Sequence, residues 1–265
     1  MTRTALTIAG SDTLAGGGLQ SDLKTFENYH LFGLTAITCI AVIKDNQFKI
    51  NDLPSNLLSD QLATIKEGLS LDGIKIGLVH QLDSLEIVKD FLRDFVGPIV
   101  LDPVMAFKET DRVYSATYRT KLIELFPYAT IITPNLKEAE ILSQQKITNL
   151  AEMEQAAQKI FALGAKSVVI KGGERLSGDL ASDLFYDGDH FEYFSKPKLT
   201  NVSINGAGCS FASAITSNLI LGKDLLSAIH DSKEYVYQGI KNGIVLRNGE
   251  GNVWFGDSIK TEVRT

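Results

Sequence analysis

Three groups of residues in this chain could do chemistry, and the most informative of them is a glycine-paired turn. Gly206, Ala207, Gly208 and Cys209 lead directly into an apolar stretch of small side chains that predicts a helix. Glycines let backbone N–H groups approach an anion closely, and a helix N-terminus adds partial positive charge. A thiol at a helix start has its ionised form favoured, so Cys209 could act as a base or a nucleophile near neutral pH. The turn predicts a phosphate site; the alternative interpretation is an ordinary helix start with a buried cysteine.

A second glycine group follows the first apolar run of the chain. Gly10, Ser11 and Asp12 come directly after that run, and Gly16–Gly18 precede a predicted helix that carries Asp22. Open α/β sheets bind ligands at the carboxyl ends of their strands, which favours a ligand-lining loop here over a plain turn. The loop lacks the lysine and Ser/Thr that follow the last glycine of a Walker A motif, and it lacks the spacing of a dinucleotide fingerprint.

The third group supplies oxygen atoms. Asn135 is a good helix N-cap, and Glu138 lies three residues later, as in a capping box. Capping alone could explain both residues. The functional interpretation is an oxygen array directed at hydrated Mg²⁺ and nucleotide phosphates, since Mg²⁺ keeps several waters. Asp102 ends an apolar run before Pro103, so it could join this array or simply end a strand.

The hydrophobic pattern predicts the elements that must position these groups. Short, continuously apolar runs alternate with longer amphipathic segments, which is typical of a parallel sheet covered on both faces. Predicted strands are Leu6–Ala9, Thr35–Ile43, Gly73–Ile76, Ile99–Leu101, Thr130–Thr133 and Ser167–Ile170, followed by a hairpin over Leu180–Phe194. Predicted helices are Leu19–Asn28, Asn56–Leu69, Ser84–Phe95, Asn149–Leu163, Phe211–Leu221 and Leu225–Asn242. We therefore expect an α/β/α sandwich.

Composition restricts the possible classes of function. The 265 residues are 44% hydrophobic and 22% charged, with a formal net charge of -6, which is typical of a globular chain and argues against a nucleic-acid surface. The two cysteines, Cys39 and Cys209, form no disulfide framework, which is typical of a reducing compartment, and we interpret Cys39 as a core residue. The N-terminal apolar run is too short for a signal peptide or a membrane span. We expect one domain over residues 1–265, cytoplasmic, with no membrane partner.

Taken together and in this order, the motifs resemble the ribokinase-like family, and within it the vitamin kinase branch of pyridoxal/pyridoxine kinases and hydroxymethylpyrimidine (phosphate) kinases. The resemblance rests on Leu6–Asp12, Ser21–Phe26, Asp102–Met105, Ile132–Asn135, Val169–Gly173 and Gly206–Cys209. It implies a three-layer α/β/α sandwich with a central, mostly parallel sheet, and a homodimer. The implied reaction transfers the γ-phosphoryl group of ATP, with Mg²⁺, to a hydroxymethyl group on a small heteroaromatic ring.

The same resemblance assigns roles to individual residues. Gly206, Ala207, Gly208 and Cys209 would form the anion hole, with Cys209 replacing the aspartate that is the usual base of the family. Asp102 and Glu138 would hold Mg²⁺, with Asn135 and Glu138 organising the phosphates. The nucleotide would lie along Lys171, Gly172 and Gly173, and the acceptor ring would lie near Gly10, Asp22, Ile43, Leu78 and Met105.

Departures from the family pattern bear on the acceptor. Ile43 stands where hydroxymethylpyrimidine kinases have a glutamine, and a buried pyrimidine amine without that partner would lose about 1–3 kcal/mol. Vitamin B6 is therefore the favoured acceptor; the pyrimidine kinase and a non-catalytic ligand-binding relative are the alternatives. Cysteine-type pyridoxal kinases resemble this chain, but Phe107 and Asn205 replace their lid cysteine and their histidine. His80 is then a candidate to line the substrate and to relay a proton with Cys209.

Overall fold

A mostly parallel sheet forms the centre of the computed structural model, which describes residues 2–45, 47–105, 115–200, 204–247 and 249–256. Within these residues the strands lie in the order β3-β2-β1-β4-β5-β6-β7-β8-β9. The strands from β2 to β7 in this order run parallel, whereas β3, β8 and β9 pair antiparallel at the two edges. Their bounds are β1 Thr4–Asp12, β2 Phe32–Lys44, β3 Gln47–Asp52, β4 Gly73–Ile76, β5 Ile99–Leu101, β6 Ile131–Ile132, β7 Val168–Ile170, β8 Leu180–Tyr186 and β9 Phe191–Pro197.

Helices cover both faces of the sheet. One layer contains α1 (Gly18–Asn28), α7 (Ala207–Ile220) and α8 (Leu225–Lys241), which pack on one another. The other layer contains α2 (Ser55–Gly68), α3 (Leu82–Leu92), α4 (Ala116–Ile123), α5 (Leu136–Ser143) and α6 (Leu150–Ala162). A short two-stranded sheet of β10 (Ile244–Val245) and β11 (Gly251–Asn252) follows α8. Among the described residues, no helix has both the length and the apolar composition that a membrane span requires.

The central strands are buried on both faces because successive side chains point to opposite sides of a sheet. In β5, Ile99 and Leu101 pack into the core beneath the α2–α6 layer, whereas Val100 packs into the core beneath α7 and α8. Burial on both faces requires continuous apolar runs, which is the pattern from which the sequence predicts parallel strands. The predicted α/β/α architecture is confirmed.

Element bounds differ from the prediction at the sheet edges and in the central strand β1, which is longer than predicted at both ends. β2 is longer than predicted at both ends, and β3, which pairs with it as a hairpin, was not predicted. β3 alternates exposed and half-buried residues, so its sequence lacks a continuous apolar run. The helix α4 and the pair β10–β11 are further additions, and α5 begins at the predicted capping box of Asn135 and Glu138. The predicted hairpin is present as β8 and β9, with Asp187 and Gly188 in its turn.

The strand order creates a crevice at one edge of the sheet. β1 lies between β2 and β4, so the connection that follows β1 leads to one side of it and the connection that follows β3 leads to the other. Ligands of open α/β sheets bind outside the carboxyl ends of the strands at such a switch point. Gly10 lies near the end of β1, and Leu78 follows β4, so both residues lie at this crevice.

Candidate active site

A cavity of about 530 Å³ lies at the carboxyl ends of the parallel strands. Its walls come from the segments that follow β1, β4, β5, β6 and β7, together with the turn before α7. Most of the site residues predicted from the sequence line this cavity: Gly10, Ile43, Leu78, Asp102, Asn135, Glu138, Lys171, Gly172, Gly173, Gly206, Ala207, Gly208 and Cys209.

Two glycine-rich loops meet at the floor of the cavity, and the contact requires glycine. Gly206 has φ +85°, and a Cβ there would lie 2.4 Å from the Gly16 carbonyl oxygen. Gly18 has φ +59°, and a Cβ there would lie 2.3 Å from the Gly10 carbonyl oxygen. Positive φ and these close approaches exclude other side chains, so the glycines of both loops hold the turn before α7 against the end of β1.

The backbone of this turn forms only part of the predicted anion hole. The Ala207 N–H donates to the Ile204 carbonyl oxygen at 3.1 Å, so it is already engaged. The N–H groups of Gly208 and Cys209 belong to the first turn of α7, where no intrahelical acceptor exists, and both residues line the cavity. These two donors suit an anion, whereas the Ala207 N–H of the predicted set is already engaged.

The environment of the Cys209 thiol differs from the one expected at a helix start. Burial raises the pKa of its thiol to about 11, and the carboxylates of Asp22 and Asp102 raise it further. The Lys75 ammonium and the Gly18 N–H, which is bonded to Sγ, lower this pKa but do not offset burial. The pKa of this thiol therefore lies above its usual value, whereas the helix start predicts a value below it.

Two carboxylates and a lysine meet beside the turn. Asn135 and Glu138 form the predicted capping box of α5, with the Asn135 N–H donating to Glu138 Oε2 at 2.8 Å. Lys171 Nζ lies 2.7 Å from Asp102 Oδ1, and a Cβ on Gly208 would lie 3.3 Å from the same Nζ. Burial and the Asp102 charge raise the pKa of Glu138 to about 7, against the lowering effect of Lys171.

This carboxylate pair fits Mg²⁺ in the form that nucleotide-binding sites use. No group of three or more His, Cys, Asp or Glu side chains that could hold a metal occurs within the described ranges. Mg²⁺ needs no such cage, because one or two carboxylates, waters and substrate phosphates can complete its octahedron. The charge of the buried Asp102 disfavours the ionisation of the buried Glu138, and a divalent cation would relieve that repulsion.

The loop after β7 is fixed by a buried acid that the sequence analysis missed. The Gly172 N–H donates to Asp183 Oδ1 at 3.0 Å, and Lys233 Nζ lies 2.7 Å from Asp183 Oδ2. A Cβ on Gly172 would lie 2.0 Å from the Ser182 carbonyl oxygen, so only glycine fits against β8. Only tertiary structure brings Asp183 and Lys233 to this loop, because they lie on β8 and α8.

The opposite end of the cavity is apolar. Ile43 pairs with Phe48 across the β2–β3 hairpin, and both residues line the cavity. Leu78 and Cys39 continue this wall, and a Cβ on Gly10 would lie 2.7 Å from Cys39 Sγ. Burial raises the pKa of the Cys39 thiol to about 11, so this cysteine is an apolar wall group, consistent with its interpretation as a core residue.

Asn252, near the end of the described residues, contacts the glycine-rich loop that follows β1. Asn252 of β11 is buried, lines the cavity and donates through Nδ2 to the Leu14 carbonyl oxygen at 3.0 Å. It also forms a bridge with Asn205, directly before the turn of α7. Asn252 therefore ties both loops together, and no motif in the sequence points to it.

Comparisons with known proteins agree with this geometry. The family described as phosphomethylpyrimidine kinase matches residues 12–254. A pyridoxine kinase of Bacillus subtilis (strain 168) is 37% identical over 253 residues, covering 93% of both chains. A hydroxymethylpyrimidine/phosphomethylpyrimidine kinase of Aquifex aeolicus (strain VF5) is 37% identical over 248 residues, covering 92% of this chain and 97% of the relative. The chain belongs to the phosphomethylpyrimidine kinase family.

Solved structures extend the family comparison to the fold. The pyridoxal kinase from Staphylococcus aureus in complex with AMP-PCP and pyridoxal matches with a TM-score of 0.91 and 34% identity, covering 99% of this chain and 96% of that chain. The phosphomethylpyrimidine kinase from Clostridium difficile 630 matches with a TM-score of 0.77 and 33% identity, covering 89% and 98%. The predicted ribokinase-like vitamin kinase is confirmed, and the protein is a phosphotransferase.

In this member of the phosphomethylpyrimidine kinase family, the predicted substrate residues Asp22 and Met105 do not line the cavity. Asp22 is fully buried and accepts hydrogen bonds from Thr7 Oγ1 and Ser213 Oγ, both at 2.6 Å. Met105 packs into the core beneath the α2–α6 layer, and its N–H lies 3.5 Å from Glu138 Oε1. Both residues lie behind the cavity, because Asp22 is on the buried face of α1 and Met105 follows β5 into the core.

The predicted role of His80 also does not agree with its position. Its Nδ1 lies 2.7 Å from Asp52 Oδ2, in a separate depression at the starts of α2 and α3. The structure therefore does not bring His80 to Cys209, and a proton relay between them is not supported. Phe107, which replaces the lid cysteine, lies outside the described residues, and the Asn205 N–H donates to the Gly251 carbonyl oxygen at 3.0 Å.

Proposed function

We propose that this kinase transfers the γ-phosphoryl group of ATP to the 5'-hydroxymethyl group of pyridoxal, pyridoxine or pyridoxamine. The observation that carries the proposal is the apolar wall of Ile43, Phe48 and Leu78 at one end of the cavity. Ile43 occupies the position where pyrimidine kinases are expected to carry a glutamine. A B6 ring needs no amide there, whereas an aminopyrimidine would lose a buried hydrogen bond.

The nucleotide is proposed to lie at the other end of the cavity, along Lys171, Gly172 and Gly173. ATP as the phosphoryl donor is supported by the S. aureus pyridoxal kinase, which was solved in complex with AMP-PCP. Asp183 holds this loop through the Gly172 N–H, so the loop is fixed before the nucleotide arrives. Lys171 lies close to Gly208, where its charge would act on the transferring phosphoryl group.

Phosphoryl transfer depends mainly on positioning and charge stabilisation. When bound, Mg²⁺ would neutralise charge on the phosphate oxygens, and Asp102 and Glu138 are the residues that would hold it, with Asn135 fixing Glu138. The N–H groups of Gly208 and Cys209 would bind the phosphoryl oxygens. As the acceptor oxygen bonds to the γ-phosphorus and the bond to the β-phosphate oxygen breaks, the hydroxyl proton passes to the Cys209 thiolate.

The experiment compares ATP consumption with Mg²⁺ for pyridoxal, pyridoxine, pyridoxamine and hydroxymethylpyrimidine in parallel. We expect a higher kcat/KM for at least one B6 vitamer than for the pyrimidine. The variant Ile43→Gln restores the amide and should shift the ratio of kcat/KM values towards the pyrimidine by about tenfold. Tight vitamer binding without turnover would instead identify a non-catalytic binding protein.

A second candidate function is hydroxymethylpyrimidine/phosphomethylpyrimidine kinase. It is favoured by the A. aeolicus relative, whose 37% identity equals that of the B. subtilis pyridoxine kinase. A wild-type preference for the pyrimidine in the parallel assay would select it. For either acceptor we also propose that residues 1–265 act as one cytoplasmic kinase domain and assemble as a homodimer.

A further inference from the structure

A fully buried lysine lies behind the turn of α7. Lys75, on β4, has no exposed surface, and its Nζ lies 2.9 Å from Asp22 Oδ2. The Thr7 and Ser213 hydroxyls donate to the same carboxylate. Asp22 therefore accepts three hydrogen bonds, whereas the Lys75 ammonium has three N–H groups, of which Asp22 takes one.

The fold makes room for this charge. A Cβ on Gly77, two residues along the chain, would lie 2.7 Å from Lys75 Nζ, so a side chain there would crowd the ammonium. Burying an ion pair costs several kcal/mol per ion, and well-packed apolar residues often replace such a pair without loss of stability. A buried lysine that also lines the cavity therefore calls for an explanation beyond stability.

The contacts of Asp22 connect Lys75 to the thiol. Cys209 and Ser213 lie four residues apart on α7, so they share one face of the helix. Ser213 bonds to Asp22, Asp22 bonds to Lys75, and α7 packs against β4. Cys209 and Lys75 both line the cavity above this chain of contacts.

We propose that Lys75, held in place by Asp22, is a positioning residue that stabilises the thiolate of Cys209 and thereby makes this thiol usable as a base. The proposal rests on the role of Cys209 in the proposed function. The sequence contains no histidine or aspartate at the turn that could serve instead. The positive charge of Lys75 would thus favour the thiolate of Cys209, as a neighbouring base does for other nucleophilic cysteines.

The charges around Cys209 determine the sign of each expected change. Lys75 on β4 and the Gly18 N–H at the start of α1 favour the thiolate, whereas Asp22 on α1 and Asp102 after β5 disfavour it. Lys171 after β7 is a second cation that interacts with Cys209. Removing the Lys75 charge should raise the thiol pKa, and removing the Asp22 charge should lower it.

The test measures the rate of iodoacetamide alkylation of Cys209 against pH, with the modified peptide quantified by mass spectrometry. A one-unit rise in the thiol pKa reduces the thiolate concentration about tenfold. The more basic thiolate is also more reactive, so the alkylation rate falls by only about half of this factor on a logarithmic scale. We expect Lys75→Met to slow alkylation about threefold at pH 8.5 and Asp22→Asn to accelerate it.

Unfolding cannot imitate the expected slowing, because an unfolded chain exposes Cys209 and reacts faster. Alkylation of the fully buried Cys39 in the same samples reports any loss of structure. If Lys75→Met does not fold, the double variant Lys75→Met/Asp22→Asn removes both charges, and it should still react more slowly than wild type, because Lys75 has the larger effect on Cys209.

Lys223→Met is the matched control, because Lys223 is an exposed lysine that pairs with Asp231. It should leave the alkylation profile unchanged. Unchanged or faster alkylation in folded Lys75→Met, or in the double variant, would overturn the proposal. Alkylation of Cys209 requires no phosphoryl transfer. The test therefore stays decisive even if the ATP-consumption assay shows a different acceptor or no turnover.

Discussion

At the scale of single residues, the pKa of Cys209 determines how the reaction should depend on pH. With a thiol pKa of about 11, the thiolate fraction is small at pH 7 and rises steadily with pH. We expect kcat of the wild-type protein to rise by up to about tenfold per pH unit between pH 7 and 9, measured by coupled ATP consumption. The pH profile of Cys209→Asp should be flat over this range, because its carboxylate is already ionised.

The substitution Cys209→Ala tests the same residue without the pH series. Loss of a general base typically lowers kcat by about 100-fold or more, whereas Cys209→Asp should keep at least about a tenth of the wild-type rate. Wild-type turnover by the alanine variant would show that Cys209 is not the base.

Glu138 should make the stability of the ligand-free protein depend on pH. Its folded pKa of about 7 lies above the usual 4.5, so the folded state holds this proton more tightly than the unfolded state. The stabilisation is complete below about pH 4.5 and is lost as pH rises through 7. Urea unfolding should show the free energy of unfolding falling by about 1–3 kcal/mol between pH 5 and 8.

Glu138→Gln should remove this component, because glutamine keeps the capping box but has no proton to lose. Glu67→Gln, at an exposed position of α2, is the matched control and should keep the wild-type dependence. Parallel pH curves for wild type and Glu138→Gln would contradict the assignment.

At the scale of elements, the junction between the turn of α7 and the first glycine loop can be tested with a matched pair of glycines. Gly206 and Gly222 have similar φ values of +85° and +88°, but a Cβ at Gly222 meets nothing within 4 Å. Gly222→Ala should cost about 1 kcal/mol of stability and leave kcat unchanged. Gly206→Ala should cost more and lower kcat at least about tenfold, because the Gly16 backbone has to move.

The position of the loop after β7 depends on Asp183. Asp183→Asn weakens the ion pair with Lys233 and the bond to the Gly172 N–H, so we expect the KM for ATP to rise about tenfold while the KM for the acceptor stays within twofold. Asp187→Asn, in the β8–β9 turn, is the control and should change neither constant. Equal changes in both KM values would indicate a general loss of structure.

The central strands and most helices were predictable because burial on one or two faces leaves a periodic pattern. The hairpin strand β3 was not, since an edge strand with alternating exposure lacks the apolar run of the central strands. α4 was not predicted either, and only Tyr118 and Leu122 of its residues are buried. Such elements owe their structure to tertiary pairing more than to local sequence.

The candidate site was predictable where motifs are continuous along the chain, as in the turn of α7 or the capping box of Asn135 and Glu138. Asp183, Lys75 and Asn252 were missed because each acts on a loop distant in sequence. The thiol pKa was predicted with the wrong direction, because the helix N-terminus is visible in the sequence and the burial of Cys209 is not.

At the scale of the whole molecule, the proposed homodimer predicts a molar mass in solution. Size-exclusion chromatography with light scattering should give about twice the chain mass of 29.0 kDa. A mass that stays at the value of one chain at all protein concentrations would contradict the proposal. The same measurement on Ile43→Gln shows whether a change at this partly exposed strand residue affects assembly as well as the acceptor.

Asn252 has a consequence for how the protein is made. Its hydrogen bond to Leu14 joins residues 238 positions apart, so the loop that contains Leu14 is completed only by β11, the last described strand. Domains fold from the N-terminus during synthesis, and contacts this distant form late. A ribosome-bound chain can therefore build its sheet well before its two glycine loops are joined, and the growing polypeptide should acquire activity only after β11 has been synthesised.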